Sequence, residues 1–224
     1  MTPLDRLSRS STGEGRGEHL SRDTLDLTRR KLILEAATEV FAELGYRQAN
    51  VADILAAAGI QGDTLQPYFA DKEACFLGVL DRAAAMSQVE MAAAIRAQKD
   101  WDRQTYAAVR SLLERVLARS PDVRILLVEA PGAGPAAVAR YEGLREVAAA
   151  WLRRGRRHHP EAGDLPAGFE CMVIDGVAFL LRRCLLDSSA PEMPQLLHEI
   201  AWFLIEPFVG SAEFGRLESE FGTR

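Results

Sequence analysis

The spacing of the apolar residues constrains the fold of this chain more than any other feature of its sequence. From Leu27 onward, apolar side chains recur three and four positions apart, which is the period of an amphipathic α-helix. No run alternates apolar with polar residues and is also enriched in Val, Ile or Thr, as half-buried β-strands are. The sequence therefore predicts an all-α fold, with the helical pattern interrupted at 99–100, 120–121, 131–135, 160–166 and 188–194.

Several short helical patterns follow one another near the N-terminus. The first ends at Gly45, and the second begins after Asn50, a preferred N-cap residue, and ends at Gly59. Gly59 is expected to take the positive φ that a tight turn demands. After a brief segment at 63–69, Asp71 is expected to cap a longer helix. A helix, a glycine turn and a second short helix are typical of a DNA-binding helix-turn-helix, although such pairs also occur in purely structural bundles.

The stretch 28–80 holds a dense set of characteristic residues, namely Arg30, Ile33, Ala36, Ala37, Phe41, Gly45, Tyr46, Val51, Ile54, Ala58, Gly59, Ile60, Thr64, Leu65, Tyr68, Phe69, Lys72 and Glu73. At this spacing the stretch closely resembles the N-terminal domain of the tetracycline-repressor-like (TetR) family of regulators. The resemblance implies a three-helix DNA-binding domain with a helix-turn-helix, followed by a larger helical domain that binds a ligand and dimerises. It also implies that residues 62–69 form the recognition helix in the major groove.

The resemblance places most of the DNA contacts on and around the recognition helix and at the start of the first helix. Glutamine can recognise adenine, and threonine can contact a thymine methyl group or a phosphate. Side chains at the start of the first helix and after the recognition helix would contact phosphates, which set the register of the protein on DNA. The predicted DNA-binding residues are Thr28, Arg29, Arg47, Asn50, Gln61, Gly62, Asp63, Thr64, Gln66, Tyr68 and Lys72.

Some features of the stretch depart from the family pattern. Gln66 replaces a common tyrosine, and Pro67 lies inside the short recognition helix. Residues 28–80 carry five basic and seven acidic side chains, hence a net charge of −2, which predicts weak non-specific DNA affinity. One alternative is therefore a degenerate helix-turn-helix that serves as an interaction or binding module. Arg9, Arg16 and Arg22 could compensate by entering a DNA groove, or could belong to a solvated tail.

The predicted domain organisation has four parts. Residues 1–25 are rich in Ser, Thr, Gly, Arg and Glu and are expected to form a disordered arm. The DNA-binding domain is expected at 26–72 and the effector-binding and dimerisation domain at 73–210. Residues 211–224 are expected to form a flexible tail.

Scattered aromatic residues in the second domain suggest an apolar cavity for a small, largely apolar effector. The candidate pocket residues are Trp101, Tyr106, Tyr141, Trp151, Phe169 and Met172. The same residues could instead belong to an ordinary hydrophobic core.

The last two strong helical patterns, at 169–186 and 193–209, are more apolar than one buried face requires. By resemblance they would form a four-helix interface in a homodimer, whose two-fold symmetry suits paired DNA half-sites. The candidate interface residues are Val173, Val177, Leu180, Leu197, Ile200 and Leu204.

Other function classes find little support. Cys75, Cys171 and Cys184 form no CxxC pair, and the histidines lie at no metal-ligand spacing. No nucleophile elbow or phosphate loop is present, so an all-helical enzyme is a distant alternative, and neither a catalytic residue nor a cofactor or metal is predicted.

The longest apolar runs fall far short of the ~20 residues of a membrane span, and no secretory signal is recognisable, so we expect a cytoplasmic protein without membrane contact. The net charge of −5 gives no overall attraction to nucleic acid, so any DNA contact must be local. The expected function is repression from a double-stranded DNA operator, with release when the effector binds.

Overall fold

The computed structural model describes residues 14–62, 65–187 and 192–222, and these residues form helices and turns without a β-strand. The first four helices are α1 (Glu14–Leu44), α2 (Val51–Ala57), α3 (Lys72–Arg96) and α4 (Trp101–Leu117). A short α5 (Pro121–Arg124) continues into a π-helical turn (Ile125–Glu129) and a 3₁₀ turn (Ala130–Gly132). They are followed by α6 (Pro135–Arg153), α7 (Gly155–His158), a 3₁₀ turn (Pro160–Asp164), α8 (Phe169–Leu186), α9 (Met193–Val209) and α10 (Ser211–Gly222). The all-α prediction is confirmed.

The predicted disordered arm at 1–25 is wrong for its second half, because α1 already begins at Glu14. Extending an existing helix needs no new nucleus, so the packed C-terminal half of α1 can support further turns before it. Residues 1–13, with Arg9, lie outside the described residues.

The turns around α2 follow the sequence prediction. Gly45 ends α1 with φ of +81°, and Gly59 follows α2 with φ of +66°. The Asn50 side chain accepts a hydrogen bond from the Asp53 N–H at 3.0 Å, and the Asp53 carboxylate accepts one from the Asn50 N–H at 3.0 Å. This reciprocal pair satisfies two amides at the start of α2 that the helix itself leaves unpaired. Asp71 caps α3 by accepting from the Ala74 N–H at 2.7 Å.

The predicted recognition helix at 62–69 is not observed in the part of this segment that the structure describes. Residues 65–69 form a single turn, in which the Leu65 carbonyl accepts from the amides of Tyr68 at 2.9 Å and Phe69 at 3.1 Å. Pro67 has no amide to donate and its ring crowds the preceding turn, which disfavours a longer helix across it. Asp63 and Thr64 lie outside the described residues.

Two hydrophobic cores are stacked along the molecule. The first joins α1, α2 and the first half of α3 to the turns at 125–133, with Phe41, Ile54 and Phe76 completely buried. The Phe76 ring lies edge-on to Phe41, with ring centroids 5.2 Å apart. The second core joins α4, α8, α9 and α10. The fold thus places a small helix-turn-helix unit on one side of a larger helical bundle.

The predicted flexible tail at 211–224 is wrong over Ser211–Gly222, which forms α10. Phe214 and Leu217 are buried, and the Phe221 ring stacks on Tyr106 with centroids 4.5 Å apart. Glu220 accepts two hydrogen bonds from Arg103, at 2.9 and 2.7 Å. These contacts fix the helix to α4. No helix among the described residues has the length and apolar character needed to cross a bilayer.

Candidate DNA-contact surface and ligand cavity

The turn at 65–69 has a buried residue at each end and exposes Gln66 in its middle. Leu65 and Phe69 are buried in the first core, whereas Gln66 and Pro67 between them are exposed. Gln61 and Gly62 are also exposed. The two anchors hold the turn in place, so the outward residues form a defined surface even though the turn is not a helix.

Arg29 on α1 extends this surface toward the helix start. Its guanidinium donates to the Tyr68 hydroxyl at 3.3 Å, and this bond raises the pKa of Arg29. Arg29 and Thr28 are exposed, and Tyr68 is half-buried. The structure therefore brings Arg29 and Tyr68, two predicted phosphate contacts, together at the edge of the turn.

The other predicted DNA contacts differ in their surroundings. Arg47 is exposed in the turn between α1 and α2. Asn50 is exposed, but its side chain already caps α2. Lys72 is half-buried and donates to the carbonyls of Tyr46 and Ala49, both at 2.9 Å. Its amine also lies 4.6 Å from the centroid of the Tyr46 ring. Lys72 thus has a structural role that the sequence did not indicate.

A cavity of about 370 Å³ lies in the second domain, between α3, α4, α6, α8 and α9. Its wall is almost wholly apolar. The residues that line it are Ala84, Ser87, Gln88, Met91, Ala92, Ile95, Thr105, Ala108, Val109, Leu112, Leu113, Val123, Leu126, Leu127, Tyr141, Leu144, Arg145, Val147, Ala148, Trp151, Leu152, Ile174, Val177, Ala178, Leu181, Ile200 and Leu204. Gln88 on α3 and Val147 on α6 are exposed, so the cavity reaches the surface beside both helices.

Of the six predicted pocket residues, Tyr141 and Trp151 line this cavity. The other four were placed incorrectly. Trp101 is buried against Phe208, Tyr106 stacks on Phe221, and Phe169 lies edge-on to Phe208. Met172 is 63% exposed on the outer face of α8. These aromatic residues fill the second core, so the presence of an aromatic side chain does not by itself locate the cavity.

The hydroxyl groups of Ser87 and Thr105 at the cavity wall already have hydrogen-bond partners. Ser87 accepts from the Arg115 guanidinium at 2.8 Å. Thr105 donates to the Trp101 carbonyl at 2.8 Å and accepts from the Trp151 indole at 3.1 Å. Burial raises the pKa of Tyr141, so its phenol is neutral at physiological pH. An apolar molecule in the cavity would therefore leave neither the Ser87 nor the Thr105 hydroxyl without a partner.

Sequence reasoning missed the contribution of α3 to the cavity. Ser87, Met91 and Ile95 are four positions apart, as are Gln88 and Ala92, so all five lie on one side of α3. That spacing was visible in the sequence, but it does not tell whether the face contacts a core or a cavity.

The predicted dimer-interface residues lie on the inner faces of α8 and α9. Val177, Ile200 and Leu204 line the cavity, and Leu197 is buried. Val173 and Leu180 are half-buried against the second core. Four of these six side chains therefore face the inside of the single chain, whereas Val173 and Leu180 are partly exposed.

The outer faces of α8 and α9 carry a different apolar surface, formed by Met172, Phe179, Leu186, Trp202 and Phe203, which are 43–65% exposed. We call these five residues the outer apolar surface. The three residues of α8 are seven positions apart, so they lie on one side of that helix.

The segment 124–129 contacts both the helix-turn-helix and the cavity. Arg124 donates from Nε to the Ala42 carbonyl near the end of α1 at 2.6 Å. The Glu129 carboxylate accepts from the Tyr46 amide at 2.9 Å. Between them, Leu126 and Leu127 line the cavity. One short segment thus touches both proposed sites.

Comparison with known proteins agrees with this arrangement. Residues 33–79 match the model of a family described as bacterial regulatory proteins, tetR family. The HTH-type transcriptional activator FasR of Mycolicibacterium smegmatis is 30% identical over 118 residues, and the matched part is 53% of this chain and 52% of that relative. The match thus spans about half the length of that curated relative.

Two similar solved structures bear on the second domain. The transcriptional regulator FadR of Bacillus subtilis in complex with stearoyl-CoA matches with a TM-score of 0.65 and 16% identity, over 79% of this chain and 98% of that one. AibR in complex with isovaleryl coenzyme A and operator DNA matches with a TM-score of 0.65 and 15% identity, over 80% of this chain and 100% of that one. At these identities the likeness establishes the fold, an N-terminal helix-turn-helix followed by a helical domain.

Proposed function

This chain has the DNA-binding domain and the fold of TetR-like bacterial regulators, and from that premise we propose that it is a transcriptional regulator. In this proposal it binds double-stranded operator DNA as a homodimer in the cytoplasm, and an effector with an acyl chain controls the binding. The observation that carries the proposal is the pairing of an exposed polar turn at 65–69 with an apolar cavity of about 370 Å³ in one chain.

DNA binding is supported by the exposed residues around that turn. Gln61 and Gln66 are exposed and can form paired hydrogen bonds with adenine. Arg29 and Arg47 are exposed cations that can neutralise phosphates on either side. Thr28, Asn50, Gly62, Asp63, Thr64, Tyr68 and Lys72 complete the proposed surface.

DNA binding is tested with fragments from upstream of the chain's own gene and of its neighbouring genes. The affinity is measured at several salt concentrations. Arg47→Ala removes one phosphate contact, so we expect the slope of log affinity against log salt to fall by about 1 per half-site. Arg216→Ala on α10 is the matched control, because Arg216 is an exposed arginine whose ion pair with Glu213 lies outside the proposed surface. The absence of salt-sensitive binding to any such fragment would contradict the proposal.

Homodimer formation is supported by the outer apolar surface. Five large apolar side chains on two adjacent helices are more than isolated exposed residues, and such patches mark contact sites. A second copy is the proposed occupant because a helix-turn-helix protein needs two symmetric halves for two half-sites. Phe179→Glu should convert the dimer to a monomer in sedimentation experiments. Val89→Glu, which changes a similarly exposed residue on α3, should leave the dimer intact.

An acyl-chain effector is supported by the apolar cavity wall and by the two similar proteins that bind acyl coenzyme A molecules. The effector proposal is tested by titration with dodecanoyl-CoA, with the melting temperature and the DNA affinity as the two readouts. Ala148→Phe should fill the cavity and abolish the thermal shift. Ala150→Phe, at an exposed position two residues further along α6, is the control. No response of the wild-type protein to any acyl compound would contradict an acyl effector.

We expected repression, whereas the similar M. smegmatis protein is named an activator. An operator that overlaps the promoter would give repression, and one that lies upstream of it would give activation. A footprint of the protein on its operator, combined with a reporter assay with and without the effector, shows whether the protein represses or activates.

The alternative of a weak DNA-binding or interaction module is favoured by one observation, the reduction of the expected recognition helix to a turn at 65–69. The double variant Asp63→Lys/Gln66→Tyr replaces a negative charge with a positive one and introduces the tyrosine that is common in the family. A large gain from almost no affinity would support the alternative, and strong binding by the wild-type protein would exclude it.

A further inference from the structure

Two segments distant in sequence meet at one end of the cavity. The indole of Trp101, at the start of α4, donates to the Trp151 carbonyl at 3.3 Å. Its ring also packs so closely on Gly155 that a Cβ there would lie 2.7 Å away. The end of α3 and the linker to α4 are therefore next to the end of α6 and the start of α7.

These two segments carry four cations that no carboxylate neutralises within ion-pair distance in the described part of the chain. Arg96 and Lys99 come from the first segment, and Arg154 and Arg157 from the second. We call these four residues the basic rim. Arg96, Lys99 and Arg157 are exposed, and Arg154 is half-buried.

Four of the nearby carboxylates are engaged with other arginines, and Asp164, in the turn after α7, is exposed. Asp100 and Asp102 pair with Arg103, at 3.7 and 3.1 Å. Glu146 pairs with Arg153 at 2.8 Å, and Glu170 pairs with Arg156 at 2.5 Å. Within the described residues the basic rim is thus a group of four cations without an ion-pair partner, on a surface that also carries the carboxylates of Asp100, Asp102 and Glu220 around the single Arg103.

The basic rim adjoins the cavity wall directly. The Arg154 guanidinium lies 4.4 Å from the centroid of the Trp151 ring, and Trp151 lines the cavity. Arg96 follows Ile95, which lines the cavity from α3. The exposed lining residues Gln88 and Val147 lie about two helical turns before Arg96 and Arg154, so a ligand that leaves the cavity there would extend its head group along α3 and α6 to reach the rim.

We propose that the basic rim binds the phosphate groups of an acyl coenzyme A whose acyl chain lies in the cavity. This inference rests on the acyl effector proposed above and adds its head group. Guanidinium and ammonium groups form strong, charge-assisted hydrogen bonds with phosphate oxygens. Coenzyme A carries several phosphate charges at a distance from its acyl group. A free fatty acid carries one carboxylate at the end of its chain, too little charge to engage four cations.

The test compares dodecanoyl-CoA with dodecanoate on the full chain by isothermal titration at low and high salt. We expect dodecanoyl-CoA to bind at least about tenfold more tightly, and this advantage to shrink as salt screens the phosphates. The double variant Arg96→Glu/Arg157→Glu should weaken dodecanoyl-CoA by about tenfold or more and leave dodecanoate within about twofold of the wild type. Arg216→Glu on α10 is the matched control and should change neither affinity.

The outcomes separate the two proposals. Equal affinity for the two ligands, or equal weakening of both by the double variant, would overturn the head-group site and leave the acyl effector standing. Binding of neither ligand would overturn both. Dodecanoyl-CoA without its 3′-phosphate is a further probe. If the rim binds phosphate, the protein must bind this ligand more weakly than dodecanoyl-CoA.

Discussion

The carboxylate of Glu129 accepts a hydrogen bond from the backbone N–H of Tyr46 at 2.9 Å, across 83 positions of sequence. The same carboxylate lies 3.3 Å from the place where a Cβ on Gly45 would stand. Glu129 therefore accepts a hydrogen bond from an amide in the turn between α1 and α2, directly after the point where Gly45 ends α1. This contact joins the helix-turn-helix to the segment that borders the cavity.

Glu129→Ala should lower the free energy of unfolding by about 1–3 kcal/mol, because it leaves the half-buried Tyr46 amide without its acceptor. Glu129→Gln keeps an acceptor oxygen and should lose less than about 1 kcal/mol. Urea unfolding of both variants measures the difference. Equal losses would show that the negative charge, which lies 3.9 Å from Arg124, matters more than the hydrogen bond.

Lys72→Met should destabilise the protein by about 2 kcal/mol, because the carbonyls of Tyr46 and Ala49 both lose a charged donor. Lys31→Met is the control, since Lys31 is exposed and forms only a 3.9 Å pair with Glu35, and it should change stability by less than about 0.5 kcal/mol. Thermal unfolding checks both. An unchanged melting temperature for Lys72→Met would show that these bonds are replaced by water at no cost.

Gly155→Ala should destabilise by about 1–3 kcal/mol, because the added methyl group would lie 2.7 Å from ring atoms of Trp101 and Phe208, both buried. Gly143→Ala, in the middle of α6 with open space around its Cβ position, should instead stabilise by about 0.5–1 kcal/mol. Denaturant midpoints of the two variants are expected to move in opposite directions. A shift in the same direction would contradict the close packing at Gly155.

Burial raises the pKa of the Cys75 thiol from its ordinary value of 9.0 to about 12. Since the folded protein holds this proton more tightly than the unfolded chain, the stabilising effect is complete below pH 9 and is lost as the pH rises toward 12. Stability should therefore fall by up to about 1.4 kcal/mol per pH unit in that window. Unfolding of wild type and Cys75→Ala at pH 8 to 10.5 should show a shallower decline in the variant.

The positions of helix ends were predictable because single residues determine them. Gly45, Asn50, Gly59 and Asp71 act through local backbone geometry and local hydrogen bonds, and the structure confirms all four. The bounds of α8 and α9 also follow the predicted 169–186 and 193–209. Such signals do not depend on the rest of the fold.

Which side of a helix is buried could not be predicted where both sides are apolar. On α8, Val177 faces the cavity and Phe179 faces solvent, but both are large apolar residues and only the neighbouring helices decide between them. The α10 helix was predictable in principle, since Phe214, Leu217 and Phe221 are spaced three and four apart. The prediction of a recognition helix was wrong over 65–69 for a local reason, because Pro67 disfavours helix there although the family pattern predicts one.

The helix α3 contributes to both hydrophobic cores. Its first half buries Phe76 and Leu80 against α1, and its second half forms one wall of the cavity against α4 and α6. Neither half of the molecule can lose its tertiary packing without exposing part of this one helix. The protein is therefore expected to melt in a single cooperative transition, in which calorimetric and van't Hoff enthalpies agree for each protomer.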